Sequence, residues 1–185
     1  MGPLLKIFIL FSFFSFTSCH YLMPSCTDGF EIYKNPIIIN PKFNLKLNNG
    51  YYTNANNFNS GRYIFSNGKS KSAGLGTTTD NILTDFNNKE NWADFIIIND
   101  TIIFQGFNHH NQERCRRWVL ETKALITSDT TILLLSKFNY RFNTIEIFDP
   151  PILLTFFSST IRPDSTVAWY QNKTWYKKHV HPSRK

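Results

Sequence analysis

The sequence predicts an all-β domain, an antiparallel sandwich or barrel. Short aromatic and β-branched runs recur along it, with turn residues between them. Phe95-Ile96-Ile97-Ile98, then Asn99-Asp100, then Thr101-Ile102-Ile103-Phe104 reads as two strands joined by a two-residue turn. The 185 residues include 18 Phe, 8 Tyr and 4 Trp, while Ala is scarce and no long Leu, Glu and Lys run holds a helical period. That composition suits pleated, half-buried surfaces.

The elements follow in chain order. Met1 to Cys19 has the pattern of a secretory signal: Lys6, an apolar core from Ile7 to Phe16, then small residues at Thr17-Ser18. The core is too short to span about 30 Å of hydrocarbon, and the later apolar runs are strand-length, so no transmembrane anchor is expected. Pro36 to Asn40 and Phe43 to Leu47 read as short strands, the second alternating Phe43, Leu45 and Leu47 against Asn44 and Lys46. Asn48-Asn49-Gly50 is a turn, Tyr51-Tyr52 opens a strand, and Asn54 to Ser60 is a polar loop. Arg62 to Phe65 is a strand run stopped by Asn67-Gly68. Beyond the 95–104 hairpin, Trp118 to Ile126, Thr131 to Phe138, Phe142 to Phe148 and Ile152 to Phe157 are further strands, with a turn at Ser128-Asp129. Asp149-Pro150-Pro151 is expected to break the last two apart, because proline cannot donate to a ladder. From Arg162 the chain turns polar and basic, and is expected to fray.

Cleavage after Cys19 leaves Cys26 and Cys115. In an oxidising compartment such a pair is most simply a disulfide, worth about 4–5 kcal/mol in the chain-entropy model. Cleavage one residue earlier keeps Cys19 and leaves a thiol over.

From Asn59 to Cys115 the order of features resembles the N-terminal domain of betacoronavirus spike proteins. The matching pieces are Gly61-Arg62-Tyr63, Lys71-Ser72, Gly76-Thr77-Thr78-Thr79-Asp80, Ile96-Ile97-Ile98-Asn99 and Cys115. The resemblance implies a galectin-like β-sandwich over residues 20–161, between the signal of residues 1–19 and a basic tail of residues 162–185. It also implies a bridge from a cysteine near the mature N-terminus to one ending this strand region, places that Cys26 and Cys115 occupy. A second bridge found in many such domains has neither cysteine here.

Asn99-Asp100-Thr101 and Asn172-Lys173-Thr174 are N-glycosylation acceptors on an exported chain, Asn99 at a hairpin tip. The net charge is +7, and Arg114, Arg116 and Arg117 surround Cys115. They offer a footprint for acidic glycans or nucleic acid. The preferred reading is a solvated strand edge guarded against aggregation, and export argues against nucleic acid. His109-His110 and His179-x-His181 lack the cysteine or carboxylate spacing of a zinc site, so no metal and no cofactor is expected. Gly74-Leu75-Gly76 is a turn, because no Lys-Ser/Thr or helix follows it. Neither a Gly-x-Ser-x-Gly elbow nor a His-Glu-x-x-His is present, and no enzyme is expected. Among Trp92, Trp118, Trp169 and Trp175, Trp118 reads as core. Trp92, in the polar stretch from Asn87 to Asp94, is the better candidate for an exposed sugar contact, although packing is the commoner use of tryptophan.

The resemblance implies a secreted, viral, spike-like module that binds a host-surface glycan or glycoprotein through loops at one end. Two alternatives stand beside it. One is an accessory protein that sequesters a host immune factor. The other is a lipocalin-like carrier of a small apolar ligand, which the Phe-rich strands suit. Neither the ligand nor the oligomeric state is legible.

Overall fold

Eight strands between Gly50 and Ser158 run up and down in sequence order, and the last pairs with the first. The computed structural model describes residues 30, 38–39, 42–54, 57–74, 91–109, 117–160, 162–174 and 176–177. The strands are β1 (Ile38–Ile39), β2 (Gly50–Asn54), β3 (Asn57–Ile64), β4 (Lys69–Gly74), β5 (Trp92–Ile98), β6 (Thr101–His109), β7 (Arg117–Ser128), β8 (Thr131–Asn139) and β9 (Thr144–Ser158). Each of β2 to β9 pairs antiparallel with its sequence neighbours, and β9 returns to β2 with Tyr52 opposite Phe156. The two-residue β1 lies parallel to β5. The result is a closed eight-stranded antiparallel β-barrel.

This corrects the galectin-like sandwich. Alternating short strands leave the same imprint in a sandwich and in a barrel. The distinction lies in long-range pairing: β2 joins β9, so the sheet has no seam at which two layers could separate. β7 and β9 are 12 and 15 residues long, enough to coil around a barrel wall. Closure is tight at Gly50, where an added Cβ would sit 2.0 Å from the Phe157 carbonyl oxygen.

The 95–104 hairpin, the turn at residues 66–68 and the strands at residues 118–126 and 131–138 match the sequence reading. Asn99 takes a left-handed φ of 53° at the hairpin tip, a conformation that Asn tolerates. Asn57 to Ser60, read as loop, belongs to β3. Phe43 to Leu47 is not a strand. The two prolines do not divide β9 either, because the ladder with β8 steps from Leu134↔Ile152 to Ser136↔Ile147 and carries residues 148–151 as a bulge.

Inside the lower barrel the residues are large. Phe95 faces Phe104 and Ile97 faces Ile102 across β5 and β6, and Ile64, Ile126, Ile132 and Leu154 close around them. Phe43, Leu45 and Leu47 add to this cluster from the strap of residues 42–47. The strap crosses the barrel end at the β5–β6 and β7–β8 turns, where Asp100 Oδ1 accepts the Lys42 N–H (2.9 Å) and Asp129 Oδ1 accepts that of Asn44 (2.8 Å). Lys46 N donates to the Asp129 carbonyl at 3.0 Å. The alternation in 43–47 is therefore real, but it serves a plug.

A second core lies outside the wall. Tyr63, Phe65, Trp92 and Val119 point outward and are covered by Phe30, Ala168, Tyr170 and Tyr176. Of the segment from Arg162, expected to fray, the described part up to Lys177 instead packs here through Ala168, Tyr170 and Tyr176, around a 3₁₀ helix at Trp169–Asn172, and residues 178–185 lie outside the described residues. Trp92, weighed as an exposed sugar contact with packing as the preferred use, is packed: it is only 1% accessible, because this segment buries the outer face of β5.

Candidate functional site

The upper lumen is hollow because its wall residues become small. Above the Phe95–Phe104 pair, the next inward pair on β5 and β6 is Ala93 and Gly106. β4 turns Ser70 and Ser72 to the same side, opposite Ile64 and Arg62 of β3. Thr122 of β7 faces Phe104. These side chains cannot meet across the barrel. They leave a cavity of about 300 Å³ between Arg62, Ala93, Gly106, Thr122 and Lys137. A neighbouring space of about 280 Å³ runs toward Tyr52, Ile152 and Leu154, and Arg62, Ser72 and Leu134 border both. Such volumes lie at the small end of the range for small-molecule sites.

Arg62 forms the floor. Its guanidinium lies 4.3 Å from the centre of the Phe104 ring, and Nη1 reaches Ser70 Oγ only at 3.4 Å. A cation over a ring face gains about 0.5–2 kcal/mol, a partial return for lost hydration. Burial lowers the Arg62 pKa to about 10, so the group stays charged at neutral pH. Lys137 of β8 supplies a second cation, opposite Thr122 in register. Among the described residues, the lining of both cavities has no Asp, Glu, His or Cys. The site offers cations, hydroxyls, amides and apolar walls, which suit holding a molecule.

At the upper end of β7, Trp118 meets Phe142 edge-on at 6.0 Å, and Arg141 lies 4.9 Å from one ring and 5.0 Å from the other. Trp118 is buried, as its strand position suggested.

The residues singled out by sequence do not converge on this lumen. Asn99 is exposed on the β5–β6 turn, at the plugged end, and Asn172 is exposed at the end of the 3₁₀ helix. Arg117 stacks on Trp169 at 4.0 Å, outside the wall. Cys19, Cys26, Arg114, Cys115, Arg116, His110, Trp175, His179 and His181 lie outside the described residues. His109 ends β6 and Gly74 ends β4. Among the described residues, no group of three or more His, Cys, Asp or Glu is placed to hold a metal ion. No described helix is long and apolar enough to cross a membrane. Arg62 was missed as a site residue. Its signal was present, since it shares a strand face with Ile64 and so sets a charge on an inward apolar row.

No protein-family model, curated protein or solved structure matches this chain.

Proposed function

We propose that this chain is an exported binding protein that takes a small, largely apolar ligand into the upper half of its barrel. The observation that carries the reading is the change in wall size, from Phe95 and Phe104 below to Ala93 and Gly106 above. A barrel built only for stability would continue its large residues upward, because unfilled space forfeits packing contacts. The plug of Phe43, Leu45 and Leu47 closes the opposite end, so a ligand enters from one side. Export rests on the signal-like first 19 residues, and N-glycosylation at Asn99 and Asn172 with a Cys26–Cys115 bridge belongs to the same reading. The protein holds its ligand without transforming it.

The test is to secrete the chain from eukaryotic cells and weigh it by native mass spectrometry before and after organic extraction. The reading expects a small molecule that is lost on extraction and regained from lipid-containing medium. A protein that carries nothing, and takes up nothing from a panel of small apolar molecules, contradicts it.

A second reading has its own support. Ile98, Leu125 and Leu153 are exposed, and Leu125, Leu133 and Leu153 follow one another in register across the outer faces of β7, β8 and β9. An apolar row of this kind suits contact with another macromolecule. Recognition of a host-surface glycoprotein, which the spike-like order of residues implies, would use this exterior. Binding to host cells that survives physiological salt but is lost in Leu125→Ser and Leu153→Ser supports it; binding unchanged in both variants contradicts it.

A further inference from the structure

We infer that the lumen takes an amphipathic organic anion, with its oxyanion held by Arg62 on the cavity floor and its apolar body lying along the barrel. This rests on the proposed binding function and adds the chemical class of the ligand.

A guanidinium carries five N–H donors in a fixed fork that matches an oxyanion with two parallel bonds. In this barrel, Arg62 has a single hydrogen bond, the 3.4 Å contact with Ser70 Oγ, and one ring contact, with Phe104. Among the described residues, no carboxylate neutralises it. The nearby acids are engaged elsewhere: Glu121 accepts from Gln105 (2.8 Å) and Tyr140 (2.9 Å) on the outer face, and Asp94 accepts from Tyr170 and Tyr176 there (both 2.8 Å). Glu146 stands opposite Lys137 in register but is exposed. A charge drawn from water without a partner is costly, and side chains of this type inside proteins are ordinarily paired. The guanidinium instead borders both cavities, so its free donors face the space a ligand would fill.

The surroundings complete an oxyanion site. Ser72 faces Arg62 across the β3–β4 ladder and supplies a hydroxyl, and Lys137 adds positive charge on the wall. Phe104 beneath the guanidinium holds its plane. The remaining walls set apolar Ala93, Leu120, Leu134 and Phe148 beside the amides of Asn91 and Asn108 and the hydroxyl of Thr122. A guanidinium on the floor, an ammonium on the wall and apolar side chains between them favour a carboxylate, or a sulfate ester, attached to a short hydrocarbon body. A quaternary ammonium would meet two cations of its own sign.

The experiment uses the full chain at physiological salt, where charge-driven adhesion to a basic protein is screened. Calorimetry compares a medium-chain carboxylate, the alkyl sulfate of the same length, and the corresponding alcohol. Both anions should bind at least about tenfold more tightly than the alcohol, the expected size of a charged hydrogen bond. Arg62→Met should remove that preference while leaving the alcohol unchanged, and Arg62→Lys should keep part of it. Lys123→Gln, on the exposed exterior, should change nothing. If Arg62→Met does not fold, the ratio of anion to alcohol on the native chain decides. Equal binding of alcohol and anions overturns the anion site and leaves the lumen reading standing. An anion preference that survives in Arg62→Met overturns it likewise. If none of the three binds, the lumen reading falls with it.

Discussion

Tyr176 donates its phenolic hydrogen to Asp94 Oδ2 at 2.8 Å, across 82 residues of chain. Tyr170 donates to the other oxygen at the same distance, and Lys69 Nζ pairs with that oxygen and with the Tyr176 hydroxyl. One carboxylate on the outer face of β5 therefore fastens the C-terminal segment to the barrel. The ammonium also lies 5.1 and 4.7 Å from the Tyr170 and Tyr176 rings, so the aromatic cover and the ion pair depend on one another.

Asp94→Ala should cost about 3 kcal/mol, because it strands a largely buried ammonium and two buried hydroxyls at once. Urea unfolding measures the loss. Limited proteolysis should then cut within residues 160–177 before the barrel opens. A variant that keeps wild-type stability and resists cleavage there would show that the apolar cover holds the segment unaided.

Alkaline stability should fall steeply above pH 10. Burial, the largest cause in each case, raises the phenols of Tyr52, Tyr63, Tyr170 and Tyr176 above their ordinary 10.0, with Asp94 raising the last two further. Unfolded, these tyrosines ionise near 10, so the stability carried by their neutral forms is complete below pH 10. It is lost as pH climbs toward the folded values, at up to about 1.4 kcal/mol per unit for each. Lys69 and Arg62 work the other way. Their pKa values are lowered by burial, so the folded chain binds fewer protons than the unfolded chain between the lowered and ordinary values, and stability gains there. Four phenols outweigh two cations. Titration by absorbance at 295 nm and circular dichroism should show these phenolates forming together with unfolding. Phenolates that all form near pH 10 with the barrel intact would contradict this.

Gly50→Ala should prevent closure between β2 and β9. The new Cβ would meet a backbone oxygen, so no rotamer change relieves it, and the cost should exceed about 3 kcal/mol, at the severe end for a point substitution. Gly106→Ala is the milder case, because its Cβ would lie 3.0 Å from both the Ala93 Cβ and the Trp92 carbonyl oxygen, against 2.0 Å at Gly50. Hydrogen exchange should show the amides of β2 losing protection in the first variant and keeping it in the second. Equal behaviour of the two would sink the steric account.

Local features were legible in the sequence and long-range ones were not. The 95–98 and 101–104 runs with Asn99-Asp100 between them specify a hairpin through their own turn chemistry. Pairing of Gly50–Thr53 with Thr155–Ser158 leaves no such mark, because alternation says which face a residue takes and not which strand lies beside it. Trp92 kept an exposed alternative for a related reason. Its neighbours in sequence are polar, and what buries it arrives from residues 168–176. Asp94 looked like part of that polar stretch, and its partners at Tyr170 and Tyr176 are just as remote. The candidate site was half legible: Arg62 was visible as a cation in an aromatic strand, but the emptiness above it depends on Ala93 and Gly106 meeting across a ladder.

The most direct measurement of the central claim is saturation binding of the neutral fluorophore N-phenyl-1-naphthylamine to the wild type, Thr122→Trp and Leu153→Ser. Thr122 lines the cavity, so an indole there occupies the space a ligand needs, whereas Leu153 lies on the exposed exterior. A lumenal site predicts one saturable site, weakened at least about tenfold in Thr122→Trp through the lost contact volume and unchanged in Leu153→Ser. Full binding in Thr122→Trp, with loss in Leu153→Ser, would place the apolar site outside the barrel and contradict the account.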